Sequence, residues 1–420
     1  MSPFFIDFLA MQNSKFYNNL IGEMAEWLKA LVSKISGRLF ASRVRIPLSP
    51  PKVFMVSKNN SVAIIGCGIN GIGTALAFSE KGYQVKIFEK GRAFAETSSK
   101  SSKLLHGGLR YLENGHFSLV QEALKERASW VQQVPNFTNI ERFYLPIYKG
   151  RSRNRFVLYA GVKLYEILAG KHSLGKSKFH SVKDTLLNNP NLKKQDLLGS
   201  VSYVDVQMDD NQIALWLLDK AKSQGVEIRE GVEVTSFDIN GNVVLNDDEH
   251  YSFDYVINAT GPWAKKLLTA NRIESNFDMS LVKGSHLIVS RLTKNPMVLQ
   301  NNDDGRIIFM LPSAEGSIIG TTEIPQKSTD SIICSEEETN YLLDIVNSYI
   351  AEPINHDAII GSYSGVRPLV FNSYDSSVSK ISRDSATEQV GSLINIFGGK
   401  WTSGLSLGQK VANSIKKDQI

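Results

Sequence analysis

Short apolar runs separated by polar stretches cover most of the chain beyond residue 60. The run 62–65 precedes a segment with apolar residues at helical spacing, and a second apolar run follows at 85–88. Apolar runs of four to eight residues are typical of buried strands, and apolar residues three and four positions apart are typical of helices. This order predicts a strand, a helix and a second strand, as in an α/β fold.

Helices and strands continue to alternate further along the chain. A helix is predicted to begin at Asp209 and to end at Gly225, and Asn240-Gly241 is a preferred pair for a hairpin turn. Alternating apolar residues in 281–322 favour antiparallel sheet. We therefore predict an α/β fold in which a Rossmann-like domain carries an inserted, mainly antiparallel β substrate domain. Further strands are expected at 226–228, 232–237, 243–245, 255–257, 307–311, 318–321 and 394–397, with a closing helix from 405.

A glycine-rich turn lies between the first predicted strand and its helix. Gly66, Gly68 and Gly71 have the G-x-G-x-x-G spacing that lets a backbone approach a pyrophosphate at the start of a helix. The second strand ends at Glu89, which can accept hydrogen bonds from an adenosine ribose. Because an acid at this position disfavours a 2′-phosphate, we expect the ligand to be NAD or FAD.

Composition and charge exclude several classes of protein. The 420 residues are 42% hydrophobic, which is typical of a globular chain with two or so domains. The net charge of +5 gives no support to nucleic-acid binding, since the first 54 residues contribute +4 and the rest only +1. Cys67 and Cys334 fit neither a disulfide framework nor a zinc spacing, so no metal is expected and a reducing, cytoplasmic setting is favoured. The sequence contains no run of eighteen apolar residues, so it predicts no membrane-spanning helix.

The first 54 residues differ from the rest of the chain. Apolar residues between Leu20 and Ile35 recur at helical spacing, and Pro50-Pro51 would end any helix there. However, the segment resembles the translation of a transfer-RNA gene. We therefore expect residues 1–54 to be a non-native or disordered extension and Met55 to be the native start.

Residues 97–111 concentrate hydroxyls, cations, an imidazole and paired glycines immediately downstream of the glycine-rich turn. Such a segment suits an anionic cofactor that meets an anionic substrate. Several further motifs follow in a fixed order, and together they resemble the FAD-dependent glycerol-3-phosphate dehydrogenase family, within the D-amino-acid-oxidase-like flavoproteins. The motifs are 101–113, 161–165, 205–210, 258–264, 282–286, 320–322, 365–369, 381–384 and 398–400.

The resemblance implies that sn-glycerol 3-phosphate is oxidised to dihydroxyacetone phosphate, with hydride transfer to flavin N5 of FAD and electrons passed to a membrane quinone. It implies catalytic roles for His106, Arg367 and Lys400, and substrate contacts from Arg110, Tyr111, His286 and Arg383. It also implies cofactor contacts from Gly66, Gly68, Gly71, Glu89, Ser98, Ser99, Ser101, Ser102, Lys103, Val234, Thr260, Gly261, Gly399 and Lys400.

Physical chemistry agrees with these roles. Arginine forks suit a phosphate dianion, and an imidazole with a pKa near neutrality suits removal of the substrate hydroxyl proton. His106 and His286 are both candidates for the base; we favour His106 and expect His286 to position the substrate. Arg383 has an alternative role, in which it braces a loop.

The chain departs from the family in two places. Trp401 to Leu405 lack the aromatic residue and the arginine that commonly follow the Gly-Gly-Lys motif. Many members also carry a carboxy-terminal helical domain, which we do not expect in this sequence of 420 residues. We expect a discontinuous FAD-binding domain at 55–115, 200–264 and 363–420, a helical and basic insertion at 116–199, and a substrate-binding β domain at 265–362.

Residues 149–183 interleave cations with apolar residues, which is typical of a peripheral membrane-binding surface and also of a solvated face over a core helix. Three other functions remain open: a glycerol-3-phosphate oxidase that uses dioxygen, a related FAD enzyme for amino or hydroxy acids, and a silent flavin-binding protein. The sequence alone does not decide between a quinone and dioxygen as the electron acceptor, or between a monomer and a homo-oligomer.

Overall fold

The computed structural model describes residues 53–55, 60–150, 153–301, 304–330, 332–372 and 385–415. Arg383, which the sequence analysis assigns to the substrate, lies outside the described residues, as does the rest of the 381–384 motif. So do residues 1–52 of the segment expected to be non-native.

A six-stranded sheet carries the glycine-rich turn. Its strand order is β19-β20-β12-β2-β3-β8, and all neighbours are parallel except the antiparallel pair β19 and β20. The two strands and helix predicted around the glycines are confirmed. The strands are β2 (Ser61–Ile65), β3 (Gln84–Glu89), β8 (Glu227–Glu230), β12 (Tyr255–Asn258), β19 (Ser385–Val390) and β20 (Leu393–Gly398).

Helices cover this sheet. The first, α1 (Ile69–Glu80), packs against the last, α8 (Gly404–Ser414), at glycines on both helices. A Cβ on Gly73 would lie 2.5 Å from the Gly404 carbonyl oxygen, and one on Gly408 would lie 2.3 Å from the Gly73 carbonyl oxygen. The close approach fixes the start of α1 relative to the 398–400 turn. The other helices are α2 (Phe117–Gln133), α3 (Arg155–Ala169), α4 (Val182–Asn188), α5 (Asp210–Ser223), α6 (Ala264–Ala270) and α7 (Glu336–Tyr349).

A small sheet of order β1-β11-β10-β9 lies beside the six-stranded one. It contains the predicted hairpin, in which β9 and β10 are antiparallel and Gly241 has a φ of +91°. A Cβ on Gly241 would lie 2.1 Å from the Phe253 carbonyl oxygen, so the turn requires glycine for both space and conformation. The strands are β1 (Val53–Met55), β9 (Val234–Phe237), β10 (Asn242–Leu245) and β11 (His250–Ser252).

A ten-stranded, largely antiparallel sheet forms the wall of the second half of the molecule. Its order is β17-β13-β16-β15-β14-β5-β7-β4, with β18 paired to β13 and β6 paired to β7. The long pair β13 and β18 is antiparallel throughout, with His286 opposite Tyr363 and Val282 opposite Arg367. The strands are β4 (Leu104–Leu105), β5 (Thr138–Tyr148), β6 (Lys178–His180), β7 (Leu197–Met208), β13 (Phe277–Val289), β14 (Met297–Gln300), β15 (Ile307–Pro312), β16 (Ser317–Gly320), β17 (Ile324–Gln326) and β18 (Ile359–Asn372).

The α/β fold with an inserted antiparallel β layer is therefore confirmed. The description of 116–199 as helical is incomplete, because β5, β6 and the start of β7 from this segment join the ten-stranded sheet. Residues 143–148 are buried throughout, so this run belongs to a strand covered on both faces. Among the helices of the described residues, none combines the length and the apolar composition of a membrane span, and no group of three or more His, Cys, Asp or Glu side chains there could hold a metal ion.

Candidate active site

Three turns converge at the carboxyl ends of the central parallel strands β2, β12 and β20. The turn after β2 lies against the turn after β12, since a Cβ on Gly66 would lie only 2.8 Å from the Ala259 carbonyl oxygen. The Asn70 side-chain amide donates to the Gly398 carbonyl oxygen at 2.8 Å, which joins the third. The strand ends of an open α/β sheet are where such folds bind ligands.

The glycines shape a cradle at the start of α1. A Cβ on Gly71 would lie 2.0 Å from the Gly66 carbonyl oxygen, so no side chain fits there. A Cβ on Gly68 would lie 3.1 Å from the Ser98 hydroxyl, which also accepts from the Ile69 N–H at 3.1 Å. The cradle therefore exposes backbone and one hydroxyl at a helix amino end, where phosphates bind.

Glu89 lies beside this cradle. Its two carboxylate oxygens accept from the Cys67 N–H at 2.8 Å and from the Gly91 N–H at 2.9 Å. Each oxygen keeps a second lone pair for a ribose hydroxyl. Val234, at the start of β9, is buried nearby, two residues after Val232, whose N–H donates to the Glu89 carbonyl oxygen at 2.9 Å.

The residues present fit a dinucleotide cofactor. Besides the cradle, the buried Oδ1 of Asn70 has no hydrogen-bond partner within the described residues, although it lies between two of the converging turns. Gly399 has a φ of +95°, and a Cβ there would lie 2.6 Å from the Asn70 amide nitrogen. Such an unpaired buried acceptor is costly unless a ligand satisfies it.

Several other residues assigned to the cofactor bond to neighbouring protein groups. The Lys103 ammonium lies 2.6 Å from the Asp210 carboxylate, which also accepts from the Ser101 hydroxyl at 2.9 Å. The Ser99 hydroxyl donates to backbone carbonyls within its own turn, and the Thr260 hydroxyl donates to Asn258 Oδ1 at 2.7 Å. These contacts hold the 99–103 segment and the turn at 258–260 in place. Gly261, which follows Thr260, has a φ of +57°.

His286 is held on one face of β13. Its ring stacks on the Tyr363 ring at 4.6 Å between centroids, and its Nε2 lies 2.8 Å from the Ser102 hydroxyl. Gly320 opposite leaves space for the ring, since a Cβ there would lie 2.3 Å from its Cδ2. Burial, followed by the charges of Arg367 and Lys103, lowers the pKa of His286 to about 3. The ring is therefore neutral, and its buried Nδ1 has no partner within the described residues.

His106 follows the short strand β4 and is partly buried. Burial is the largest cause that lowers its pKa, the carboxylate of Asp205 opposes the shift, and Lys400 and Arg367 add to it. The charges of Asp205, Lys400 and Arg367 therefore all affect the pKa of the His106 imidazole. The ring is neutral near pH 7 and has an acid nearby to stabilise a proton on it.

A buried ionic network supports the His106 segment. The Arg127 guanidinium donates to Asp205 Oδ1 at 2.9 Å, and the Tyr165 hydroxyl donates to Asp205 Oδ2 at 2.8 Å. The same hydroxyl accepts from the Gly107 N–H at 2.7 Å. Arg127 is 1% exposed and Asp205 is 2% exposed. The network thus links a buried ion pair to the residue next to His106.

Four side chains assigned to catalysis or to the substrate lie near one another. The Lys400 ammonium lies 4.5 Å from the centroid of the Tyr111 ring, and Arg110 and Arg367 both approach Glu323 Oε1, at 3.8 and 3.7 Å. All of these side chains are partly exposed, so a solute can reach them. The cations can bind an anionic group of a substrate. A neutral imidazole beside them can accept a proton from a hydroxyl group of the same substrate.

Sequence reasoning missed part of this site. Tyr165 and Asp205 lie within quoted motifs, but they received no role, and Tyr165 was read as part of a basic amphipathic surface although it is 2% exposed. Glu323, Arg127 and Tyr363 were not singled out. Glu323 directly follows the 320–322 motif, which is the one local signal that could have found it.

A polar layer lies on the opposite face of β13. The Glu338 carboxylate lies 2.8 Å from the Lys283 ammonium and accepts from the hydroxyls of Ser285 and Thr322 at 2.8 and 2.6 Å. Glu338 also closes a capping box with Ser335 at the start of α7. The layer ties α7 to the sheet behind His286.

Comparisons with known proteins agree with this geometry. Residues 61–413 match the model of the DAO family, described as FAD dependent oxidoreductase. Aerobic glycerol-3-phosphate dehydrogenases of Staphylococcus saprophyticus and Staphylococcus aureus are each 32% identical over 374 residues, with 85% of this chain and 67% of the relative covered.

Solved structures give the same picture. The FAD complex of a glycerol-3-phosphate dehydrogenase from Bacillus halodurans superposes with a TM-score of 0.67 at 26% identity, covering 85% of this chain and 64% of that one. A glycine oxidase from Bacillus cereus, at 20% identity and a TM-score of 0.66, shares the fold. The chain spans about two thirds of the length of the dehydrogenases it matches.

Proposed function

Because the chain belongs to the DAO family of FAD-dependent oxidoreductases and is homologous to aerobic glycerol-3-phosphate dehydrogenases, we propose that it oxidises sn-glycerol 3-phosphate to dihydroxyacetone phosphate. The observation that carries the proposal is the convergence of Arg110, Arg367 and Lys400 beside His106 and His286. A related enzyme for amino or hydroxy acids would need to hold one carboxylate. Three convergent cations suit a phosphate dianion better.

The cofactor of the family is FAD, and the glycine cradle, Glu89 and Ser98 would hold its adenosine and pyrophosphate. Bound FAD supplies a two-electron acceptor. The chain's own residues bind the substrate phosphate through Arg110 and Arg367, with the Tyr111 hydroxyl as a further donor. Lys400 lies near Tyr111 and completes the cationic wall.

His106 takes the C2 hydroxyl proton of the substrate in this proposal. A base must be neutral at working pH and must bind a proton with reasonable affinity. The pKa of about 3 makes His286 a poor base, whereas Asp205 opposes the loss of basicity at His106. His286 then orients the substrate through its Nδ1, while Ser102 holds its Nε2.

Electrons leave to a membrane quinone in this proposal, and the chain contacts the cytoplasmic face of the membrane peripherally. Helix α3 supports it: Phe156, Val157 and Ile167 are 68%, 60% and 65% exposed, and the Arg155 guanidinium lies over the Phe156 ring. Exposed apolar and cationic side chains on one helix suit an anionic lipid surface. Replacing Phe156, Val157 and Ile167 with serine should lower partition onto anionic vesicles; unchanged partition would contradict the membrane contact.

The function is tested by product analysis. The purified holoenzyme is mixed with sn-glycerol 3-phosphate and a soluble quinone analogue, and dihydroxyacetone phosphate is measured against reduced quinone. We expect equal amounts of the two products, and Arg367→Ala should raise KM for the substrate while flavin content stays unchanged. Arg291→Ala, at an exposed position, is the matched control. Turnover of glycine or glycerate in place of the phosphorylated substrate would contradict the assignment, and faster reoxidation by dioxygen would favour an oxidase.

A further inference from the structure

Asn70 connects the first turn of α1 to the turn that follows β20. Its Nδ2 donates to the Gly398 carbonyl oxygen at 2.8 Å. A Cβ on Gly399 would lie 2.6 Å from the same Nδ2 and 2.8 Å from Oδ1, so the side-chain amide lies directly against the backbone of that residue. One side chain therefore joins the glycine cradle to the 398–402 turn, although the two are 328 positions apart in sequence.

The contact with Gly398 fixes the orientation of the Asn70 amide. The reverse orientation would place Oδ1 opposite the Gly398 carbonyl oxygen, and two acceptors cannot bond to each other. Oδ1 is therefore the free end of the amide. It is buried and has no hydrogen-bond partner among the residues that the structure describes. Because an unpaired buried acceptor is costly, a bound molecule that offers a donor at this position would be stabilised.

The chemistry of FAD narrows the choice of donor. The diphosphate has acceptor oxygens only, so it cannot satisfy Oδ1 of Asn70. The hydroxyls of the adenosine ribose suit the carboxylate of Glu89, at the end of β3. The ribityl chain is bonded directly to the diphosphate on its other side, and it carries hydroxyl groups that can donate. A ribityl hydroxyl is therefore the donor that fits a buried acceptor next to the pyrophosphate cradle.

The turn held by Asn70 borders the groups assigned to catalysis. It carries Lys400, whose ammonium lies 4.5 Å from the centroid of the Tyr111 ring. It also carries Thr402, whose hydroxyl accepts from the His106 N–H at 3.4 Å. A residue that contacts both the cofactor and this turn can therefore set the position of one relative to the other.

We propose that Asn70 positions FAD, with its Oδ1 accepting from a ribityl hydroxyl while its amide nitrogen holds the turn that carries Lys400. The cofactor and the turn are then fixed by the two ends of one amide. This inference depends on the FAD cofactor of the family and not on the identity of the substrate, so it goes beyond the proposed function. Asn70 takes no part in proton transfer.

The test compares the binding of flavins that differ by one hydroxyl. The full-length protein is freed of flavin and titrated with FAD, with FAD analogues that each lack one ribityl hydroxyl, and with ADP, which has no ribityl chain. In wild type we expect one analogue to bind roughly tenfold more weakly than FAD, equivalent to about 1.4 kcal/mol. The rate at which loaded protein releases each flavin on dilution gives the same comparison without the flavin-free state.

Two substitutions remove the acceptor. Asn70→Ala deletes the amide, and Asn70→Leu keeps a side chain of similar size without polar atoms. In both we expect FAD to bind roughly tenfold more weakly and ADP to bind as in wild type. The analogue that wild type binds poorly should bind these variants as tightly as FAD does, because the hydroxyl that it lacks no longer has a partner.

The variants should fold, because other bonds also hold the turn. The Trp401 indole N–H donates to the Ser98 carbonyl oxygen at 2.7 Å, and the Trp130 indole N–H donates to the Thr402 carbonyl oxygen at 3.0 Å. The control is Asn211→Ala, which removes the same side chain from an exposed position in the first turn of α5. It should leave the affinities for FAD, the analogues and ADP unchanged.

The outcomes separate this inference from the proposed function. Equal weakening of FAD and ADP in the Asn70 variants would contradict it, and so would a wild type that binds every analogue as tightly as FAD. A penalty for the analogue that is the same in wild type and Asn70→Ala would show that Oδ1 meets a water molecule or another group, and would also contradict it. Loss of that penalty in Asn70→Ala would support the inference even if the wild type does not oxidise glycerol 3-phosphate, a result that would contradict the proposed function alone.

Discussion

The hydroxyl of Tyr165 is a single group whose removal tests the buried network next to His106. It accepts from the Gly107 N–H at 2.7 Å and donates to Asp205 Oδ2 at 2.8 Å, and the phenol is 2% exposed. Tyr165→Phe keeps the ring and deletes only these two hydrogen bonds. Two buried polar groups each lose a partner.

The expected cost follows from these two losses. An unsatisfied buried donor or acceptor costs about 1–3 kcal/mol. Asp205 keeps its Arg127 partner, so its share lies at the lower end, and we expect a total of about 2–4 kcal/mol. For a chain of 420 residues, whose entropy of unfolding is about 2.1 cal/mol/K per residue, this lowers Tm by about 2–5 °C. Because a displacement of about 1 Å can cost up to about a hundredfold in rate, flavin reduction should also slow by roughly ten- to a hundredfold.

The assay combines thermal unfolding with rapid mixing. The melting temperature is read from the release of flavin fluorescence, and the rate of flavin reduction by glycerol 3-phosphate is read by stopped flow. Tyr159→Phe removes a hydroxyl from the same helix at a half-buried position outside the network and is the control. If both variants melt and react like wild type, the network has no role in placing His106 and our reasoning is wrong.

Three further substitutions test other parts of the account. Gly71→Ala would place a Cβ 2.0 Å from the Gly66 carbonyl oxygen, so the purified protein should lack FAD by absorbance. Gly320→Ala would place a Cβ 2.3 Å from the His286 ring, so flavin should be retained while reduction by substrate slows. Burial raises the pKa of Glu126 from 4.5 to about 7, so wild type should lose stability as pH rises from about 4.5 through 7. Glu126→Gln cannot ionise and should show a flatter dependence of Tm on pH over that window.

Each of these expectations has a contrary result. Full flavin occupancy in Gly71→Ala would show that the glycine cradle does not contact the cofactor. Normal reduction of flavin in Gly320→Ala would remove His286 from substrate positioning. A stability difference between wild type and Glu126→Gln that stays constant from pH 5 to pH 8 would show that this carboxyl is not protonated in the folded chain.

Local patterns predicted the parts of the structure that depend on neighbouring residues. The apolar run before Gly66, the glycine spacing and the acid at Glu89 are close together in sequence, and the strand, turn and helix formed as expected. The Asn240-Gly241 turn is another local signal, and it joins β9 to β10. In each case the conformation follows from residues within one or two elements.

Long-range pairing was not predictable in the same way. Strand β5 was overlooked because its burial depends on partners in β7 and β14, far away in sequence. Arg127 and Asp205 are 78 positions apart, and nothing near either residue indicates that they form a buried pair. The contacts of Glu323 were likewise not predictable from its sequence neighbours, because Arg110 and Arg367 belong to other elements.

The central claim is that the bound flavin faces a cationic pocket that recognises a phosphorylated alcohol. It is tested most directly by mixing the purified holoenzyme anaerobically with sn-glycerol 3-phosphate and following the visible absorbance of the flavin. We predict complete bleaching by glycerol 3-phosphate and none by glycine or glycerol. A yellow protein whose flavin stays oxidised with glycerol 3-phosphate, or is bleached by glycine instead, would contradict the account.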